Sequence, residues 1–172
     1  MGINRRQWLS TVPLALLTSG LSVPVIAQQR DAWTLQALEF LESLDSGQRA
    51  QALFPFNSGQ RRDWHYIPRQ RHGVAIKALS DEQRGLLWRL MATALSKRGF
   101  AKVRDVIKTE AILADLTNNP GFRDPDNYAI VFFGDPATQQ TWAWRFEGHH
   151  LALNFTVIPG KGLTLTPAFF RR

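Results

Sequence analysis

A chain of 172 residues, 44% hydrophobic and 11% aromatic, is long enough for one globular domain with its own core. It contains no cysteine, which excludes disulfides, thiolate metal sites and a cysteine nucleophile. The formal net charge is +7, but the basic residues are scattered without a long Lys/Arg block, so we expect no nucleic-acid partner.

Residues 1–27 have the organisation of an export signal. Arg5 and Arg6 precede an apolar stretch, which ends in VIA, a sequence suited to signal peptidase. The paired arginines in NRRQWLS indicate the twin-arginine route, with the general secretory route as the alternative. Proline, glycine and hydroxyl residues interrupt the apolar stretch, so we predict no transmembrane anchor. We expect a periplasmic or secreted protein, with residues 28–172 as a single domain.

The first half of that domain has helical spacing. Apolar residues recur every three or four positions after Asp31, which is a suitable N-cap, and a short helix is predicted over residues 48–53. Ser80 and Gln83 form a capping box for a helix that we expect to end at Gly99. FAKVRDVIKTEAILADL then predicts a further helix, roughly antiparallel to the one before it.

After Asn127 the apolar period changes from about 3.6 residues to about 2, which indicates strands. Three strands are predicted, namely YAIVFFG, TWAWRFEGHHLALNFTVI and LTLTPAFF, joined by turns at GDPATQQ and PGKG. The sequence therefore predicts an α+β fold in which N-terminal helices pack on a C-terminal antiparallel β-meander. A meander of three strands leaves a free sheet edge through which the chain could associate with itself.

Several phrases also carry a family resemblance. In chain order they are WHYIP followed by RHG, LSDEQR, LSKRG, RDPDNYAIVFFGDP and WAWRFEGHHLALNF. Together they resemble DUF3500, a family of unknown function, over residues 31–170. The resemblance implies export but no activity. Members usually continue past PAFF into another helical segment, so we expect the N-terminal part of the family domain here, and a truncated inactive copy is one interpretation.

The segment RFEGHHLALNF holds the best candidate for chemistry. Side chains on a strand alternate between faces, so Glu147 and His149 are expected on one face and His150 on the other. The glycine between Glu147 and the histidines permits a bulge, which would re-aim the histidine pair and disrupt this simple alternation. Imidazole and carboxylate groups bind divalent metals and transfer protons, so these residues are predicted as catalytic groups or metal ligands of a hydrolase-like enzyme. The alternative is that they satisfy one another inside a packed sheet.

Four further residues are predicted to bind a small-molecule ligand: Trp64, His65, Arg123 and Arg145. The first two lie in the basic and aromatic segment RRDWHYIPRQRHG, which could equally be a solvated loop with its tryptophan in the core. A non-enzymatic periplasmic binding or interaction protein for an anionic or sugar-like ligand is therefore the second hypothesis. The chain has no GxSxG, glycine-rich phosphate loop or dinucleotide fingerprint, so it offers no motif for those chemistries.

Overall fold

A computed structural model describes residues 31–171 of the chain, and the export signal predicted for residues 1–27 lies outside this range. Within it, four α-helices precede four longer antiparallel strands, which confirms the predicted α+β fold. Two short strands between the second and third helices join the same sheet. None of the helices in this range has both the length and the apolar character needed to cross a membrane.

The helices begin at polar N-caps. They are α1 (Ala32–Ser43), α2 (Ser46–Ala52), α3 (Asp81–Ala94) and α4 (Lys97–Thr117). The predicted N-cap at Asp31 and the capping box of Ser80 and Gln83 are both confirmed. The prediction that Gly99 ends a helix is wrong, because Ser96 Oγ accepts the backbone N–H of Gly99 and caps the start of α4.

The strands form one sheet. They are β1 (Leu53–Phe54), β2 (Val74–Ala75), β3 (Ala129–Phe133), β4 (Trp142–Gly148), β5 (Leu151–Ile158) and β6 (Gly162–Phe170). The order is β1-β3-β4-β5-β6, with β2 also pairing with β3. The prediction of one long strand over TWAWRFEGHHLALNFTVI is wrong, because a two-residue turn divides it into β4 and β5. His150 has a φ of 62°, and this left-handed conformation reverses the chain so that Gly148 pairs with Leu151.

The two faces of the sheet are covered differently. The large core lies between one face and the helices, and it contains Trp142, Trp144 and Phe146 of β4. The opposite face carries a small apolar cluster built on Val131, Phe133 and Ala143, with Phe54 and Phe56 packed against it. A loop of residues 55–73 covers this second face, where β4 also places two charged side chains.

The last strand, β6, lies at one edge of the sheet. Among residues 31–171 it pairs only with β5, and most of its side chains are exposed or half-buried. The free edge expected from the sequence is therefore present, while self-association through it stays a prediction.

The close packing of Gly148 against a buried ring makes a first prediction. A Cβ atom at Gly148 would lie 2.1 Å from Cδ1 of Tyr128, whose ring is held by stacking on Phe146. We expect Gly148→Ala to lower the free energy of unfolding by about 1–3 kcal/mol, the usual cost of over-packing. Urea denaturation followed by tryptophan fluorescence measures it.

Gly85 provides the matched control, because it is exposed on α3 and a Cβ atom there meets nothing within 4 Å. Gly85→Ala is expected to raise the free energy of unfolding by about 0.5–1 kcal/mol through helix propensity. Equal effects of the two substitutions would contradict the packing argument.

Candidate functional site

The turn between β4 and β5 is held from three directions. The hydroxyl of Tyr128 donates to the carbonyl oxygen of His149 over 2.7 Å. The backbone N–H of His150 donates to the carbonyl of Tyr66, in the 55–73 loop, over 2.8 Å. The backbone N–H of Arg171, just after β6, donates to the carbonyl of His150 over 2.9 Å. Both histidine backbones are therefore fixed by residues distant in sequence.

The two imidazoles lie side by side. Their ring centroids are 3.8 Å apart and their planes differ by 21°, so the rings are stacked. The rings of Phe122 and His149 also meet edge to face, with their centroids 5.3 Å apart. The prediction that His149 and His150 point to opposite faces is wrong, because alternation applies to strand residues and these two form the turn.

The carboxylate beside the histidines is Glu110, on α4. Its side chain is 1% exposed, and its Oε1 lies 2.5 Å from Nδ1 of His149. Its Oε2 accepts from Nη1 of Arg123 over 3.3 Å, and the same nitrogen lies 3.5 Å from Nε2 of His150. One potential ligand atom from each of Glu110, His149 and His150 lies within 4.8 Å of the others.

The position of His150 disfavours its charged form. Burial lowers the pKa of His150, and the neighbouring His149, Arg123 and Arg171 lower it further, while Glu110 opposes them. A neutral imidazole can act as a metal ligand. In addition, Nδ1 of His150 is buried and has no hydrogen-bond partner among residues 31–171. This nitrogen is thus a buried polar atom whose bonding capacity the described residues leave unused.

The supporting hydroxyl of Tyr128 stays protonated. Burial raises the pKa of Tyr128, and the nearby carboxylate of Glu110 raises it further. The group therefore remains a hydrogen-bond donor to the turn.

Glu147 does not meet the histidines. One oxygen of its carboxylate lies 3.0 Å from Nε of Arg145, and the other accepts the backbone N–H of His65 over 2.8 Å. Both side chains of this ion pair are almost fully buried, under the 55–73 loop. Arg145 and Glu147 are two residues apart on β4 and share a face, whereas the histidines follow the end of the strand. The carboxylate beside the histidines is therefore that of Glu110, where the sequence analysis predicted Glu147.

Arg145 is also bound to the loop above it. Its Nη1 donates to the carbonyl of Gln60 over 3.0 Å, and its guanidinium lies 5.4 Å from the ring centroid of Phe133. Burial lowers the pKa of Arg145, and the charge of Glu147 opposes this effect. The side chain of the predicted ligand-binding residue Arg145 is thus in contact with Glu147, Gln60 and Phe133.

The remaining predicted ligand-binding residues fall in different places. Arg123 belongs to the Glu110 cluster, as described above. Trp64 lines a groove of about 230 Å³ on the other side of the sheet, together with Arg62 and Asn154. The imidazole of His65 lies 3.2 Å from Asp63 and does not line that groove. The structure therefore brings Arg123, His149 and His150 together and leaves Trp64, His65, Arg145 and Glu147 apart from them.

Sequence reasoning missed Glu110, although a signal for it exists. The buried residues of α4 are Val103, Val106, Glu110 and Ala114, which recur at helical spacing. A carboxylate in the apolar stripe of a helix is unusual, since a buried charge needs a partner. That position alone would have marked Glu110 as a residue with a specific contact.

A cleft of about 620 Å³ opens beside the cluster. Its walls include Glu110, Arg123 and His150, and also Lys102 of α4 and Arg171. A cleft of this size can hold a small organic molecule next to the histidines.

The family model described as Protein of unknown function (DUF3500) matches residues 27–171, nearly the whole chain. The chain belongs to the DUF3500 family. Neither the curated proteins nor the solved structures contain a match.

The two tyrosines of this DUF3500 chain allow a test of how the histidine turn is held. Tyr128→Phe removes the donor to His149, so we expect the free energy of unfolding to fall by about 1 kcal/mol, with altered imidazole resonances. In Tyr66→Phe the ring can still stack on Phe169, so little change is expected. Urea denaturation and NMR of the histidine side chains measure both. Identical behaviour of the two variants would mean that the Tyr128 hydroxyl does not support the turn.

Proposed function

We propose that this chain is an exported, hydrolase-like enzyme in which Glu110, His149 and His150 hold a divalent metal ion. One observation carries the proposal. A buried carboxylate from a helix and two consecutive imidazoles from a hairpin turn converge, and two of the three, Glu110 and His150, line an open cleft. Burying the charge of this carboxylate costs free energy, because the charge loses its hydration. A bound metal ion would offset that cost.

The donor set suits zinc or a similar ion. Zinc takes imidazole nitrogen and carboxylate oxygen as ligands, and a catalytic zinc site typically has three protein ligands with one position left open. Two ligands at about 2 Å from one ion lie about 3.3 Å apart. The two imidazoles, which are stacked here, would have to turn for their ring nitrogens to converge on it. A bound divalent ion supplies Lewis acidity to a substrate oxygen or lowers the pKa of a bound water.

Export is supported by the sequence alone. The basic start, interrupted apolar stretch and VIA end of residues 1–27 form the pattern of a cleaved signal.

A binding protein without catalysis is the second candidate, and one observation favours it. Both oxygens of Glu110 already have partners, in His149 and Arg123. A guanidinium so close to the imidazoles disfavours a cation by charge repulsion and would itself attract an anionic ligand. In that case the cluster would orient a ligand and would need no metal.

Metal titration decides between the two candidates. Mature protein is equilibrated with Zn²⁺, dialysed, and analysed for metal content, and Co²⁺ is used as a spectroscopic probe. We expect one ion per chain in the wild type. Glu110→Gln, His149→Ala and His150→Ala should each weaken binding by about tenfold or more, since even outer-shell partners contribute that much.

The other two histidines supply the control. The chain has four histidines, and His65 and His72 lie outside the cluster. The double variant His65→Ala/His72→Ala should keep one ion per chain. Chelation should abolish the hydrolysis of chromogenic esters, and zinc should restore it. The metal proposal fails if the wild type binds no stoichiometric metal. It also fails if Glu110→Gln, His149→Ala and His150→Ala bind the metal as tightly as the wild type does.

Export is tested separately in a bacterium with both export routes. Replacing the paired arginines, Arg5→Lys/Arg6→Lys, should keep the precursor in the cytoplasm if the twin-arginine route is used. Arg30→Lys, beyond the signal, is the control and should be exported and cleaved normally. Export of the double variant at the wild-type level would indicate the general secretory route. Retention of the wild type itself would overturn the proposal of export.

A further inference from the structure

The cleft beside Glu110 is lined by more cationic than anionic side chains. Three of its residues are basic, namely Lys102, Arg123 and Arg171, and two are acidic, Asp105 and Glu110. Both oxygens of the Glu110 carboxylate already have partners, in Arg123 and His149. The space next to the cluster therefore has an uncompensated positive character.

Two of the cations have no acidic partner in the part of the chain that the structure describes. Among residues 31–171, neither Lys102 nor Arg171 lies within ion-pair distance of a carboxylate. The remaining acid, Asp105, is exposed and also lines two neighbouring depressions. Its single negative charge can offset only one of these two cations.

Both cations lie at the end of β6 and line the same cleft as Glu110 and His150. The ammonium of Lys102 lies 4.6 Å from the ring centroid of Phe170, a cation–π contact that orients it. Arg171 is joined to the turn through its backbone N–H, which donates to the carbonyl of His150. The end of β6 thus holds one cation directly and orients the other.

We propose that this cleft selects substrates that carry an anionic group, a carboxylate or a phosphate, with Lys102 and Arg171 binding that group while the bond to be hydrolysed faces Glu110 and His150. This inference rests on the proposed function and names its substrate class. A guanidinium binds the oxygens of carboxylate and phosphate through paired N–H donors, and an ammonium adds a point charge. Neutral substrates would gain nothing from these two residues.

Calorimetric titration tests the inference. Inorganic phosphate and succinate serve as the anionic probes and glucose as the neutral one, each with zinc-loaded and chelator-treated protein. Lys102→Gln and Arg171→Gln should each weaken binding of the anionic probe by about tenfold, the usual effect of losing a charged hydrogen bond. Lys102→Arg should retain binding because it keeps the charge.

Lys108→Gln is the matched control. Lys108 lies on the same helix, carries the same charge and is exposed away from this cleft. It should leave anion binding unchanged. Binding of phosphate but not succinate would assign a phosphate group, and binding of succinate alone would assign a carboxylate. The inference is overturned if neither anion binds, if glucose binds as well as they do, or if Lys108→Gln weakens binding as much as the cleft variants.

The metal content of the same samples separates this inference from the proposed function. If the protein takes up no zinc but binds anions through Lys102 and Arg171, the metal proposal is overturned and the proposed anion specificity is retained. Stoichiometric zinc together with anion affinities unchanged in Lys102→Gln and Arg171→Gln would retain the metal and overturn the anion specificity.

Discussion

The ring of Tyr128 lies so close to the backbone of Gly148 that a Cβ atom there would come within 2.1 Å of it. Only glycine permits this approach without a shift of β4 or of the ring. The approach brings the tyrosine hydroxyl within reach of the carbonyl of His149. Because the ring is itself buried in the main core, the position of the histidine turn is fixed by the packing of the core.

Two buried charge clusters lie on opposite sides of β4, and the 55–73 loop connects them. On one side, Glu147 pairs with Arg145 and binds the backbone of His65. The next residue, Tyr66, accepts the backbone N–H of His150. Glu147 therefore supports the histidine turn through two consecutive loop residues, although it does not touch the imidazoles. A buried ion pair adds little net stability, and its value here is the fixed position of the loop.

On the other side, Glu110 joins the helical layer to the sheet. Its contacts reach the turn through His149 and the segment after α4 through Arg123. Removing one member would leave a buried charge without a partner, which is more costly than never having formed the pair. The cluster consequently fixes how α4 sits on the hairpin as well as the orientation of the imidazoles.

The sequence predicted the layers of the fold better than its site. Helix spacing, the N-cap at Asp31 and the capping box at Ser80 depend on neighbouring residues, so they could be predicted locally. The hairpin could not, because its turn consists of two histidines in place of the usual Asn-Gly or Gly-rich pair. Alternating apolar residues on both sides of the turn gave the appearance of a single strand.

The partner of the histidines was beyond local reasoning for a different reason. Glu110 and His149 are 39 residues apart, and only the docking of α4 on the sheet brings them together. Glu147 was the nearer carboxylate in sequence, but the geometry of a strand places it beside Arg145. Nearness along the chain favoured one acid, and tertiary packing selected the other.

The edge strand β6 also positions a residue of the cleft. Phe170 pairs with Leu151 at the first residue after the histidine turn, and the chain then continues to Arg171 at the cleft wall. The register between β5 and β6 therefore places a cation beside the imidazoles, and a one-residue slip would move it to the other face of the sheet. Since the bulge in this pairing lies between Leu153 and Phe155, the last pairs before the cleft remain in regular register. The hairpin and the edge strand thus form one wall of the candidate site, and α4 forms the other.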